Sequence, residues 1–96
     1  MNYLSRKDVF KLQDIPNVGK ATEVDFNLLG INKPAQLIGK DPYIMFTDLC
    51  RLTKKQHDPC VIDVFISAVR YMEGGPHKKW WEFTEERKKT LSVKAQ

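Results

Sequence analysis

Hydrophobic residues recur along the chain at the three- and four-residue spacing of helices, and almost no stretch shows the alternation of a strand. Residues 59–73 are apolar on nearly every side, which predicts a helix at the centre of a bundle. Pro34, Pro42 and Pro59 suit first helical positions, because the proline backbone angle is already helical. We therefore predict an all-α protein, a compact bundle of five to six short helices. The predicted segments cover residues 6–13, 20–29, 34–38, 42–54, 59–73 and 78–91.

Polar residues predict where the first and last helices begin. Ser5 and Asp8 have the spacing of a capping box, and Leu4 can pack against Val9 across that cap. In the last segment, Thr84 is expected to interrupt the helix and to cap the residues after it. Three side chains of the first helix are expected to enter the core: Val9, Phe10 and Leu12.

Two predicted helices carry polar residues near their apolar faces. In the central helix, Asp63, Ser67 and Arg70 fall on one stripe, which we expect to face solvent, with contact to a partner as the alternative. Asp25 falls within the apolar arc of the second helix, so its carboxylate is expected to point inward. It then needs a partner, such as Arg70, a tyrosine hydroxyl or backbone amides. The arc comprises Ala21, Val24, Leu28 and Leu29.

The length of the chain bounds its architecture and location. The 96 residues provide one domain, residues 1–96, with a modest core. No apolar stretch is long enough to span a bilayer, and no signal-peptide pattern precedes the first helix. Cys50 and Cys60 are too few for the disulfide framework of a small secreted domain. These features predict a cytoplasmic protein with no membrane partner.

The charge of the chain is concentrated near its C-terminus. The net charge is +4, and residues 77–96 hold six basic and three acidic side chains. This basic segment permits contact with nucleic acid, although a solvated helix explains it as simply. Trp80 and Trp81, beside Lys78 and Lys79, add an aromatic surface. We nevertheless expect at least one of the two tryptophans to close the core.

The turn before the second helix, Ile15-Pro16-Asn17-Val18-Gly19-Lys20, is the most informative stretch. It resembles a helix-hairpin-helix motif, here residues 6–30, in which the amides of the turn hold a DNA phosphate. Amides at a helix start lack internal acceptors and the helix dipole is positive there, so an anion is the natural occupant. The candidate nucleic-acid-binding residues are Asn17, Val18, Gly19 and Lys20, with Lys40, Lys54 and Lys55 as supporting cations.

The match to this motif is partial. Asn17 stands where a first glycine is usual, although asparagine tolerates the left-handed conformation. Lys20 replaces a common proline, and Glu23 places a negative charge one turn from the phosphate site. The second glycine-rich turn of tandem proteins is replaced by residues 53–59, which contain no glycine. The alternative is therefore a protein-interaction module that kept the helical scaffold and lost DNA binding.

A longer resemblance covers about residues 8–90. It rests on residues 28–31 (Leu-Leu-Gly-Ile), 49–53, 57–65 (His-Asp-Pro-Cys-Val-Ile-Asp-Val-Phe) and Trp80-Trp81. These segments resemble the small bacterial pathogenicity-locus family, whose members are often labelled mitomycin resistance proteins. The resemblance implies an all-helical domain of the SAM/HhH-like type and a link to DNA damage. We therefore predict weak, sequence-independent binding of the DNA backbone, in an accessory role beside a repair or recombination partner.

Cys60 and His57 permit a different hypothesis, since a thiol at a helix start beside a histidine suits nucleophilic catalysis. A zinc site that included Cys50 would lack a paired spacing, and His77 is the remaining histidine. A small buried cysteine, in a helix capped by Asp58, is the simpler interpretation. We therefore predict no enzyme activity, no metal and no cofactor.

Overall fold

Helices account for the regular structure of residues 9–94, the part of the chain that the computed structural model describes. The all-helical prediction is confirmed, since none of these residues forms a strand. The radius of gyration of 13.0 Å is that of a compact domain of about 100 residues. The helices are α1 (Lys20–Leu28), α2 (Pro42–Thr53), α3 (Cys60–Met72) and α4 (Thr84–Lys94). Short 3-10 turns lie at Leu12–Asp14, Pro34–Leu37 and Trp80–Phe83.

Helix starts follow the prolines, as predicted. Pro42 is the first residue of α2, and the Asp41 carboxylate caps this helix by accepting a hydrogen bond from the Tyr43 amide at 2.8 Å. Helix α3 begins directly after Pro59. The segment that starts at Pro34 is a single 3-10 turn. Residues 9–94 therefore hold four α-helices, whereas the sequence predicts five to six short helices.

Residues 9–11 do not form the first helix that the sequence predicts, so that prediction is wrong there. The predicted cap of this helix, formed by Leu4, Ser5 and Asp8, lies outside the described residues. The Asp14 carboxylate accepts hydrogen bonds from the amides of Phe10 and Lys11 at 3.0 and 2.9 Å. These bonds compete with a helical ladder and leave only the 3-10 turn. Phe10 is consequently 76% exposed, whereas the buried Leu12 enters the core as expected.

Helix α3 occupies the centre of the structure, as its apolar sequence predicts. Its buried residues are Ile62, Asp63, Phe65, Ile66, Ser67, Ala68, Val69 and Tyr71. The ring of Phe65 lies 5.4 Å from that of Phe26 in α1, between the ring centres, within the main core. A smaller core on another side of α3 consists of Ile62, Ile66 and Phe83.

Helix α1 turns a different face to the core from the one predicted. Phe26 is fully buried, whereas Val24 and Leu28 of the predicted arc are each 51% exposed and Ala21 is also exposed. The large ring of Phe26 gains more from burial than these smaller side chains, and its contact with Phe65 sets the rotation of the helix. The expectation that this arc is buried is therefore wrong for three of its four members. The fourth, Leu29, is partly buried and packs against the core.

Asp63, a polar residue on α3, is fully buried. Its carboxylate accepts hydrogen bonds from Arg87 Nε at 2.9 Å, Arg87 Nη2 at 3.3 Å and Thr84 Oγ1 at 2.7 Å. The hydrogen bonds to Asp63 raise the pKa of Arg87 further, so the guanidinium stays charged. Thr84 marks the predicted break between the last 3-10 turn and α4, but its hydroxyl binds Asp63 rather than the amides after it.

The other two members of the stripe also contact distant segments. Ser67 is buried and accepts a 2.7 Å hydrogen bond from Asn17 Nδ2, and exposed Arg70 forms an ion pair with Glu86 of α4. The prediction of a solvated stripe is therefore wrong for Asp63 and Ser67. The turn before α1 and helix α4 pack over this face, which brings both polar groups out of water.

Phe83, and not a tryptophan, closes the smaller core. Phe83 is 5% exposed and packs with Ile62 and Ile66, whereas Trp81 is 56% exposed and Trp80 is half-buried. The expectation that at least one of the two tryptophans closes the core is wrong, since neither indole belongs to the two core clusters. The short 3-10 turn directs its fourth residue, Phe83, inward and leaves the indole of its second residue, Trp81, in solvent.

The buried ion pair is expected to dominate the attachment of α4. In Arg87→Met, the carboxylate of Asp63 stays buried and loses its cation, which we expect to lower the free energy of unfolding by about 3–5 kcal/mol. The double variant Asp63→Leu/Arg87→Met is expected to lose less than Arg87→Met alone, because it leaves no buried charge. Urea denaturation of the three proteins measures both effects.

Arg70→Met is the matched control, because the ion pair that it removes is exposed. We expect this control to lose only about 0–1 kcal/mol. Equal losses in Arg70→Met and Arg87→Met would show that the buried pair does not hold α4 in place.

Candidate nucleic-acid interface

The turn before α1 is built on two buried side chains. Ile15 and Val18 are 1% and 6% exposed and anchor the turn in the core, as predicted. Between them, Asn17 adopts the left-handed conformation with a φ of 71°, which asparagine tolerates better than most residues. The Val18 amide donates to the Ile15 carbonyl at 3.1 Å. The turn is therefore closed by its own backbone and fixed by its core contacts.

The side chain of Asn17 joins the turn to two other parts of the protein. Its Nδ2 group donates to Ser67 Oγ on α3 and to the carbonyl of Lys78, both at 2.7 Å. A carbonyl only accepts hydrogen bonds, so the orientation of the amide is set by Lys78. Both donors of Asn17 are thus engaged inside the protein. The side chain therefore positions the turn. Its two amide donors are not available to an external anion, for which only the backbone of Asn17 remains.

The start of α1 presents unpaired backbone amides. Within residues 9–94, no acceptor bonds the amides of residues 19–22, and Gly19 supplies no side-chain cap. Gly19 and Lys20 are exposed, and a Cβ placed on Gly19 would meet no atom within 4 Å. The Val18 amide is already bonded, so the open amides begin at Gly19. This end of α1 can accept an anion from solvent.

One acidic side chain lies beside this helix start. Glu23, in the first turn of α1, accepts a 2.7 Å hydrogen bond from Gln13 Nε2 and is half-buried. The bond holds the carboxylate toward the preceding 3-10 turn, yet its negative charge remains within one helical turn of the amides. Binding of an anion there is weakened accordingly.

Two of the three supporting lysines lie near parts of α1 that follow its first turn. Lys40 lines a hollow with Leu29 and Ile31, near the C-terminal end of α1. That end is about 13 Å from the start of the helix, at 1.5 Å per residue. Lys54 ends α2 in the left-handed conformation, and Lys55 lies close enough to Asp25 to influence its pKa. Lys40 therefore lies near the far end of α1, and Lys55 lies near Asp25 in the second half of this helix.

Lys78 is the lysine whose backbone contacts the turn, through Asn17. Lys78 and Lys79 are both exposed and precede the 3-10 turn that carries Trp81. The basic and aromatic composition of this segment is visible in the sequence. Its place beside the turn is not, because a side-chain hydrogen bond between residues 61 positions apart leaves no local pattern.

Asp25 is only partly buried. The sequence predicts an inward carboxylate with a hydrogen-bonding partner, and this arrangement is not observed. Within the described residues its carboxylate accepts no hydrogen bond. Partial burial raises the pKa of Asp25, and the nearby charges of His57 and Lys55 oppose that rise. Asp25 therefore lies near the loop that follows α2. Arg70, one of the partners predicted for Asp25, pairs with Glu86.

Cys60 and His57 are not paired with each other in the described structure. His57 Nε2 lies 2.8 Å from Thr53 Oγ1, and the Cys60 amide donates to Asp58 Oδ1 at 2.8 Å. A hydrogen bond from the thiol to the Asp58 carboxylate, together with burial and the charge of Asp63, raises the pKa of Cys60. A helix start lowers the pKa of a thiol, and the neighbouring carboxylates act in the opposite direction. This geometry stabilises the thiol and disfavours the nucleophilic thiolate.

The described residues contain neither a cluster of potential metal ligands nor a membrane-spanning helix. In residues 9–94, no three side chains among histidine, cysteine, aspartate and glutamate lie close enough together to hold a metal ion. None of the helices in that range has the length and apolar character needed to cross a membrane.

The fold and the turn define a small all-helical domain whose first α-helix begins with open amides. Residues 5–89 match the model of the Cdd1 pathogenicity-locus family, and the chain belongs to this family. It is 34% identical over 89 residues to the mitomycin resistance protein McrB of Streptomyces lavendulae, an alignment that covers 93% of this chain and 85% of that protein. No solved structure matches the chain significantly.

Substitution of Asn17 tests the anchoring of the turn. Asn17→Ala removes two hydrogen bonds and places an ordinary residue in the left-handed region, so we expect a loss of about 2–4 kcal/mol. Asn17→Gly also removes the bonds but adopts this conformation freely, so its loss should be smaller by about 1 kcal/mol. Urea denaturation measures the difference. Equal stability of the two variants would contradict a left-handed residue at this position.

The reactivity of Cys60 tests its surroundings. In a Cys50→Ser background, Asp58→Asn removes the carboxylate that stabilises the thiol, so the pKa of Cys60 should fall. Alkylation by iodoacetamide at neutral pH should then be faster, because more thiolate is present, and the midpoint of the pH–rate profile should move to lower pH. Glu85→Gln removes the same charge from an exposed residue and is the control. An unchanged midpoint in Asp58→Asn would exclude this role for Asp58.

Proposed function

We propose that this protein is an accessory domain that binds the DNA backbone weakly and without sequence preference, in the manner of a helix-hairpin-helix motif. The observation that carries the proposal is the set of open amides at residues 19–22, next to the exposed side chain of Lys20. The left-handed Asn17 and the buried Ile15 and Val18 hold this helix start rigidly. A phosphate that binds there meets donors already in place, so little ordering opposes binding.

The expected affinity follows from the number of phosphates that one turn can reach. Glu23 opposes an anion, and Lys40 lies near the far end of α1, so few phosphates are neutralised together. Sequence-independent binding of this kind has dissociation constants of about 10⁻⁴–10⁻⁶ M at physiological salt. Contacts to phosphates carry no base information, so no sequence preference is expected. Such a domain acts most effectively beside a partner protein in repair or recombination.

The relative from Streptomyces lavendulae supports a link to DNA damage, because mitomycin damages DNA and that protein is named for resistance to it. A protein that recognises DNA backbone in a repair complex fits such a phenotype. No catalytic group is required for this role, and we propose no enzyme activity.

A protein-interaction module on the same scaffold is the second candidate. It is favoured by the exposed apolar face of α1, where Val24 and Leu28 are each 51% exposed. A hollow of about 440 Å³ between α2, α3 and α4, with Ile44, Ile62 and Leu91 among its lining, adds apolar surface. A protein partner would cover such surfaces, whereas DNA would leave them in solvent.

Fluorescence anisotropy of a labelled DNA duplex at two salt concentrations tests the proposal. Lys20→Glu places a negative charge at the open amides and is expected to weaken binding at least tenfold. Lys33→Glu changes the net charge equally at an exposed position after α1 and should weaken binding much less. Higher salt should weaken binding of the native protein, since phosphate contacts release counterions.

Two outcomes would contradict the proposed site. Equal weakening by both substitutions would indicate a diffuse effect of net charge, with no role for the start of α1. Absence of binding to duplex, single-stranded and junction DNA at low salt would favour the protein-interaction module.

A further inference from the structure

Trp81 presents its indole to solvent although its neighbours are ordered. It is 56% exposed and packs edge-to-face against Trp80, with 5.5 Å between ring centres. Phe83 fills the adjacent core, so the ring of Trp81 is not needed to exclude water from it. An exposed tryptophan without a packing role provides a flat aromatic surface for a ligand.

The segment that carries Trp81 is held at several points. The Lys79 amide donates to Glu82 Oε2 at 2.9 Å, Phe83 is buried, and Thr84 binds the carboxylate of Asp63. Lys78 Nζ lies 5.7 Å from the centre of the Phe83 ring. The indole is therefore presented on a rigid turn, which reduces the entropy lost when a ligand stacks on it.

The same segment lies beside the open amides. Asn17 Nδ2 donates to the Lys78 carbonyl, so the turn before α1 and the chain before Trp81 are in direct contact. Trp81 follows Lys78 by three residues, which limits the separation of their Cα atoms to about 10 Å. A chain of a few nucleotides can therefore contact both the start of α1 and the indole.

The charge of this surface favours a nucleic acid. Lys20, Lys78 and Lys79 are exposed, and within residues 9–94 none of them forms an ion pair. Of the nearby carboxylates, Glu86 pairs with Arg70, whereas Glu82 accepts only the Lys79 amide and exposed Glu85 forms no ion pair within residues 9–94, so these two oppose an anion in part. Cations next to an aromatic ring are the combination by which proteins bind single strands, since the cations attract the phosphates and the ring stacks on a base.

We propose that Trp81, Lys78 and Lys79 form a binding surface for single-stranded DNA, where an unpaired base stacks on the Trp81 indole. This inference rests on the proposed function, because it extends the phosphate site at the start of α1. It also names the substrate class. The bases of a duplex are stacked on one another and are not available to Trp81, so single strands and DNA with unpaired bases are preferred.

Intrinsic fluorescence provides a direct test. The chain has two tryptophans, so Trp80→Phe leaves Trp81 as the only indole. Titration of this variant with an oligothymidine of about 15 nucleotides should quench its fluorescence, and a duplex of equal length should quench it much less. In anisotropy, Trp81→Ala in the otherwise native chain should weaken single-strand binding roughly tenfold and leave duplex binding unchanged. Ile44→Ala, at another exposed apolar residue, is the control and should change neither.

The two proposals fail in different ways. Loss of duplex binding in Lys20→Glu, without quenching or any effect of Trp81→Ala, would overturn the single-strand surface and leave the phosphate site standing. Quenching in Trp80→Phe and weaker single-strand binding in Trp81→Ala, with Lys20→Glu as tight as the native protein, would support the aromatic surface and remove the site at α1. Absence of binding to either DNA form would overturn both. Circular dichroism confirms that each variant keeps its helices.

Discussion

The buried carboxylate of Asp63 is the constraint on which the rest of the structure depends. A charge removed from water costs several kcal/mol unless cations and hydrogen-bond donors replace the solvent, so α3 can be central only when Arg87 and Thr84 cover this group. Apolar burial alone would not hold α4, because its hydrophobic residues Leu91 and Val93 are exposed. The ion pair and the neighbouring Phe83 therefore fix the position of α4.

The same face of α3 also positions the candidate site. Ser67 lies one turn after Asp63 and binds Asn17, which in turn binds the Lys78 carbonyl. One polar stripe thus aligns the turn before α1 with the C-terminal segment. The direction of the open amides depends on contacts made about 50 residues later in the chain. A buried polar network of this kind specifies one arrangement, because any other leaves its members unpaired.

Local signals in the sequence predicted the local structure well. Proline placed the starts of α2 and α3, Thr84 marked the break before α4, and Asn17 adopted the left-handed conformation in place of glycine. One error is local, because Asp14 bonds the amides of Phe10 and Lys11 and so prevents the predicted first helix there. The other errors concern contacts between distant segments. The rotation of α1 is set by Phe26 against Phe65, and the burial of Asp63 requires Arg87; neither pairing leaves a periodic pattern in the sequence. For the same reason Gly19 and Lys20 can be identified from sequence, whereas the proximity of Lys78 cannot.

In the proposed function, two different chemical features of DNA are recognised at a fixed separation. In this proposal, the amides of residues 19–22 would bind a phosphate of any nucleotide, whereas Trp81 would require a base that is free to stack. Duplex DNA supplies the first feature alone, at high charge density, and a single strand supplies both. Because the bond from Asn17 to Lys78 joins the two surfaces, tight binding requires a phosphate backbone and an unpaired base in the same ligand. Gaps, frayed ends and junctions have this combination, and each arises where damaged DNA is processed.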